Sequence, residues 1–132
     1  MKIELDTGSP DINIISAYSA GAITIRGARY AQSLVVTANR IIEDWPPGTH
    51  AEVRADHIEI IVRLEPEIVL LGTGDRLVFP PVEVLAPLHT AGIGVEVMDT
   101  GAACRSYNFL VNEGRRVAAA LLPLRGPDVS SR

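Results

Sequence analysis

Two short loops carry the residue types best suited to chemistry. Gly72-Thr73-Gly74-Asp75 and Asp99-Thr100-Gly101-Ala102-Ala103 each follow an apolar run and each combine glycine with a hydroxyl and a carboxylate. Glycines allow the positive φ angles that turn successive backbone N–H groups toward a concavity, and a helix opening near Ala102 adds unpaired N–H groups and a positive dipole end. Two such loops side by side can cradle a small anion, with Gly72, Thr73, Gly74, Gly101 and Arg105 as contacts. The ordinary reading of the same glycines is tight turns and close helix–sheet packing, and the pattern favours it. Gly-Thr-Gly-Asp lacks the third glycine of a dinucleotide fingerprint, and no Gly-Lys-Ser/Thr makes a nucleotide phosphate loop.

Cys104, Arg105, Tyr107 and Asn108 complete the candidate pocket. Cys104 and Arg105 fall in what the pattern makes the first turn of the helix, where a dipole can activate a thiolate beside a guanidinium. A free cysteine is more often a buried small residue, and no partner base is evident. Asp75 and Asp99 are placed as an acid and base pair, although Asp99 or Thr100 serves as readily as a helix cap. Tyr107 and Asn108 are polar groups in the middle of an apolar helix and need partners, in the pocket or near Arg26-Gly27. His50, His57 and His89 have no zinc-ligand spacing, and no metal or cofactor is implied.

These loops must be held by a sheet. Ile12 to Tyr18 and Ala22 to Arg26 flank Ser19-Ala20-Gly21 as a hairpin, and Ser33 to Thr37 and Arg40 to Asp44 continue as short strands. Trp45-Pro46-Pro47-Gly48 stops regular structure. From Asp56, with Glu59 three residues on, Ile58, Ile61 and Val62 fall on one helical face, with a strand as the rival reading. The second half alternates: a strand over Glu67 to Leu71, a helix from Pro80-Pro81 to Ala91, a strand over Gly94 to Met98, a helix from Ala102 to Glu113, and a strand over Arg116 to Leu122. Pro87 inside the first of these helices should kink it or move its start later. This order predicts parallel βαβαβ units. The expected organisation is a single α/β domain over 1–123 and a loose C-terminal tail over 124–132.

Composition limits the function. The chain has 132 residues, 47% of them hydrophobic, enough for one packed core. A net charge of −4 and only six aromatic residues argue against nucleic-acid binding. One cysteine excludes a disulfide framework and fits a reducing compartment. The N-terminal stretch has no signal-peptide pattern, and no apolar run reaches the ~18 residues of a membrane span, so a soluble cytoplasmic protein without membrane insertion is expected.

Three runs extend the reading: Pro66 to Asp75, Ala91 to Asn108 and Glu113 to Leu121, together with Ile25-Arg26-Gly27 and Trp45-Pro46. With these the chain resembles the small prokaryotic domains of unknown function related to mitochondrial complex I assembly factor 3 and to the adipogenesis-associated domain protein. Ser106 departs from the threonine frequent in relatives and keeps the hydroxyl. The resemblance implies a three-layer α/β fold with a mixed central sheet and an added N-terminal β hairpin layer. It implies no enzyme activity. It implies instead a non-catalytic interaction or assembly role with a protein partner, in membrane-complex assembly or export machinery. The alternatives are a module binding a small anion at the Gly72-Gly74 and Thr100-Arg105 loops and, behind it, a Cys104-dependent enzyme.

Overall fold

The computed structural model describes residues 2–5 and 11–126. Among these residues nine strands and three α-helices occur in the order β1 (Ile3–Glu4), β2 (Ile15–Ser19), β3 (Ala22–Ile25), β4 (Ala28–Tyr30), β5 (Leu34–Thr37), β6 (Arg40–Ile42), α1 (Ala55–Val62), β7 (Ile68–Gly72), α2 (Val82–Thr90), β8 (Gly94–Met98), α3 (Thr100–Asn112) and β9 (Val117–Leu121), with a 3-10 turn over His50–Glu52 before α1. They form two sheets. β1-β2-β3-β4 is antiparallel, and β6-β5-β9-β7-β8 is mixed, with β7 parallel to both β8 and β9 and β5 antiparallel to β9 and β6.

The central strands β5, β9 and β7 of the five-stranded sheet are buried on both faces, and their side chains divide by the period of two that a pleated strand imposes. Val35, Val69, Leu71, Ala118 and Ala120 pack with Trp45, Ile58, Ile61, Leu85 and Leu88, the face covered by α1 and α2. Val36, Leu70, Ala119 and Leu121 pack with Ala103, Cys104, Tyr107 and Val111 of α3 and with Ile15, Ile23 and Ile25 of the first sheet. α3 is therefore the common layer between two sheets. The added N-terminal layer is four strands rather than a hairpin alone.

Residues 56–62 are helical, and the helix opens differently from the Asp56/Glu59 expectation. Arg54 is the N-cap, and its N–H donates to His57 Nδ1 at 3.0 Å. Trp45 closes the base of this helix by donating its indole N–H to the His57 carbonyl. α2 runs from Val82 to Thr90 without a break at Pro87, with Pro81 as N-cap, so its start is not displaced. The intrahelical bond that Pro87 cannot make would have gone to Glu83, an exposed residue open to water. Gly92 (φ 72°) ends α2 as expected, with Ile93 N–H on the Leu88 carbonyl and Gly92 N–H on that of His89. The tail expected to be loose from 124 begins with three held residues. Leu124 accepts from Gly21 N–H, and Arg125 and Gly126 donate to the Asp75 carboxylate. Residues 127–132 lie outside the described residues.

Candidate functional site

β7 sends its connection through α2 on one face of the sheet, and β8 sends its connection through α3 on the other. Their C-terminal ends therefore meet at a point where strand order reverses, the usual ligand crevice of an open α/β sheet. The structure brings together there the two loops singled out from the sequence. The register pairs Gly72 with Met98 and with Leu121, so three strand ends lie abreast.

Several backbone groups at this crevice are engaged by the chain itself. Thr100 N–H donates to the Gly74 carbonyl at 2.9 Å, and Gly74 N–H donates to Thr100 Oγ1 at 2.8 Å. The Thr100 hydroxyl donates to the Leu122 carbonyl at 2.7 Å, and Leu122 N–H returns to the Gly72 carbonyl. Thr73 N–H donates to the Met98 carbonyl, and its hydroxyl donates to the Arg76 carbonyl while accepting from Val78 N–H. At the start of α3, Asp99 Oδ1 accepts from Ala102 N–H, so Asp99 is the cap. The N–H groups of Thr73, Gly74, Thr100 and Ala102 thus all have acceptors within the chain.

The glycines serve contact. A Cβ on Gly72 would lie 3.0 Å from the Thr100 backbone, and one on Gly101 would lie 3.1 Å from the Tyr18 ring. Gly74 alone of the three has positive φ, 99°. The Tyr18 hydroxyl accepts from the Arg105 guanidinium, which couples α3 to the first sheet.

The remaining predicted residues separate. α3 starts at Thr100, two residues earlier than expected, so Cys104 is the fifth helical residue and sits beyond the first turn where a dipole acts on a thiol. It is fully buried, and desolvation pushes its pKa up to about 12, outweighing the lowering by Arg105. The thiol is protonated at neutral pH, as a packing residue would be. Asp75 is exposed and engaged by the N–H groups of Arg125 and Gly126. Tyr107 and Asn108 bind the first sheet. Asn108 accepts from Ile15 N–H at 2.9 Å and donates to the Ile15 carbonyl at 2.8 Å, while the Tyr107 hydroxyl donates to the Asn13 carbonyl at 2.6 Å. The tie to the Arg26 region runs through Asn13, whose Oδ1 accepts from Arg26 Nε at 2.8 Å and whose amide donates to the Thr37 carbonyl. Asn13 escaped sequence reasoning; an asparagine inside an apolar strand pattern was its only signal.

Two open features border the crevice. A cleft of about 200 Å³ runs from Thr73, Gly74 and Asp75 to His50, Arg76 and Arg125. A broader groove of about 480 Å³ lies along β8 and α3, lined by Ile68, Leu70, Met98, Phe109 and Leu110 with Glu96 and Arg105 at its polar side. Phe109 is 65% exposed there. β8 ends the sheet order, so its outer edge has no strand partner among the described residues.

No helix among the described residues is long and apolar enough to cross a membrane. Residues 15–122 match the family model described as a protein of unknown function, DUF498/DUF598. The chain is 37% identical over 114 residues to human NADH dehydrogenase [ubiquinone] 1 alpha subcomplex assembly factor 3, covering 85% of this chain and 61% of that protein, so it spans about three fifths of that relative's length. It is 30% identical over 106 residues to the 13 kDa major membrane protein of Francisella tularensis, covering 80% of this chain and 86% of that one. Among solved structures, a Bordetella parapertussis protein superposes with a TM-score of 0.81 at 37% identity, covering 88% of this chain and 99% of that one. A Bordetella pertussis protein described as a Mth938-like domain superposes with a TM-score of 0.80 at 30% identity, covering 99% and 97%. With its mixed sheet, its three helices and these matched residues, the chain belongs to the DUF498/DUF598 family.

Proposed function

We propose that the chain is a non-catalytic, assembly-type domain that receives an extended segment of a partner protein along the outer edge of β8. The observation that carries this reading is the coincidence of a strand edge unpaired among the described residues with an apolar groove and an exposed Phe109 beside it. Free edges are templates for strand addition, in which main-chain bonds supply affinity and pockets select side chains. Similarity to a complex I assembly factor supports a partner taken from a multisubunit assembly. Exposed apolar contact of this kind is characteristic of interaction surfaces. The buried, protonated Cys104 gives no support to a thiol-dependent enzyme.

Capture from native lysate under mild detergent, run in parallel for the wild type and Phe109→Asp, tests the reading. A partner retained by the wild type and lost by the variant, with unchanged thermal midpoint, is the expected result. Equal retention by both overturns it. The small-anion reading retains the 200 Å³ cleft, where Arg76 and Arg125 rather than loop N–H groups would supply the charge. A thermal-shift titration with phosphate decides it, because a ligand at 100 times its Kd stabilises by about 2.7 kcal/mol.

A further inference from the structure

The opposite end of the central sheet, at the N-terminal ends of β7 and β9, holds a depression of about 450 Å³. Four arginines line it: Arg40 from the β5–β6 hairpin, Arg63 at the end of α1, and Arg115 and Arg116 between α3 and β9. A third of the chain's twelve basic residues therefore gather on one cleft of a molecule whose net charge is −4. Among the described residues, Glu65 is the one acid on the lining.

Two of these cations are committed. Arg115 Nε lies 3.2 Å from the Glu67 carboxylate, and Arg116 Nε donates to the Glu65 carbonyl at 3.4 Å. Both follow α3, whose C-terminal carbonyls favour cations, so their presence has an ordinary explanation. Arg63, the C-cap of α1, shares that explanation, yet it and Arg40 differ from the first two in their partners. Both are exposed, and neither has a carboxylate within ion-pair distance among the described residues. Arg40 begins a strand and serves no helix end. The wall beneath them is apolar, with half-buried Ile12 and Leu64 and buried Val111 and Val117. Its volume is that of a small-molecule site, and such sites pair apolar walls with a few charged groups.

We propose that this cleft binds a small amphipathic acid, its carboxylate held by Arg40 and Arg63 and its aliphatic chain lying over Ile12, Leu64, Val111 and Val117. The site is separate from the β8 edge and stands whether or not a protein partner binds there.

Titration of the 15N-labelled protein with octanoate tests the proposal, with octanol and inorganic phosphate as comparison ligands. Octanoate is expected to shift the amides of residues 37–40, 63–65 and 114–117 saturably, and more tightly than either comparison. Arg40→Gln/Arg63→Gln is expected to weaken octanoate binding about tenfold or more, near 1.4 kcal/mol, with the thermal midpoint unchanged. Three outcomes overturn the proposal: no saturable shifts with octanoate, phosphate or octanol binding as tightly as octanoate, or octanoate affinity unaltered in the double variant. A short peptide with a leucine C-terminus, free or amidated, separates the sources of the carboxylate. Tighter binding of octanoate than of the free-carboxylate peptide supports a small acid, and the reverse order overturns it in favour of a chain terminus.

Discussion

The two ends of the central sheet contrast in how their polar groups are used. At the C-terminal end, Thr73, Thr100 and Asp99 accept from the N–H groups of Val78, Gly74 and Ala102, and Gly72 and Gly101 let backbone and ring approach to contact distance. At the N-terminal end, Arg40 and Arg63 line an open cleft with an apolar wall, and neither forms an ion pair among the described residues. A glycine-rich loop before a helix is the stronger sequence signal for binding, yet here it marks close packing. Open binding chemistry lies where residues scattered from 12 to 117 converge.

Substitutions at the closed end should therefore cost stability, while those at the open end should not. Thr100→Val has the largest expected effect. It keeps the shape but leaves the buried Gly74 N–H and Leu122 C=O without partners, a loss of about 2–4 kcal/mol by urea denaturation, with Thr100→Ser recovering most of it. Gly72→Ala comes next. Its methyl would meet the Thr100 backbone and the Ala103 side chain, and overpacking of this kind costs about 1–3 kcal/mol. A tolerated alanine there would break the contrast, because it would mean the strand ends are not tightly joined.

The third expectation concerns alkaline pH. Burial raises the Cys104 pKa from the ordinary 9 to about 12, and burial raises that of Tyr107 as well. Between the unfolded and folded values the unfolded chain holds fewer protons than the native one, so stability is complete below about pH 9 and falls as pH rises toward 12. Cys104→Ala should flatten that decline in denaturation curves taken from pH 8 to pH 11. Labelling of the wild-type thiol near neutral pH should be limited by opening of the fold. The smallest effect belongs to the open end, where Arg40→Gln/Arg63→Gln should leave stability within about 0.5 kcal/mol of the wild type. A loss of several kcal/mol in that variant would mean that the cleft is built for the fold.

The sheet-and-helix order was legible because local patterns determine it. Gly94 to Met98 is a strand over the expected residues, and Gly92 and Gly114 end α2 and α3 with φ of 72° and 81°. β1 and β4, of two and three residues, are too short to show a period, and only pairing with β2 and β3 defines them. The start of α3 was misplaced by two residues because Asp99 caps it directly, and that shift removed the basis for an activated Cys104. Tyr107 and Asn108 were recognisable as polar groups needing partners. The partners themselves, Asn13 and Ile15, lie more than ninety positions away, and no spacing rule reaches that far. The arginine cleft escaped for the same reason, since Arg40, Arg63, Arg115 and Arg116 meet only in the folded chain.

The Asn108 carboxamide bound to both polar groups of Ile15 has a consequence for how the molecule is made. Residue 15 leaves the ribosome long before residue 108, so β2 waits for α3 before its inward face can be sealed, and β5 likewise waits for β9. Contacts of such high sequence separation slow folding, because loop closure is entropically costly before any of its contacts can form. The N-terminal sheet of a nascent chain thus remains open until α3 has been synthesised. A chain stalled before residue 100 would expose Ile15, Ile23 and Ile25 to the nearest chaperone.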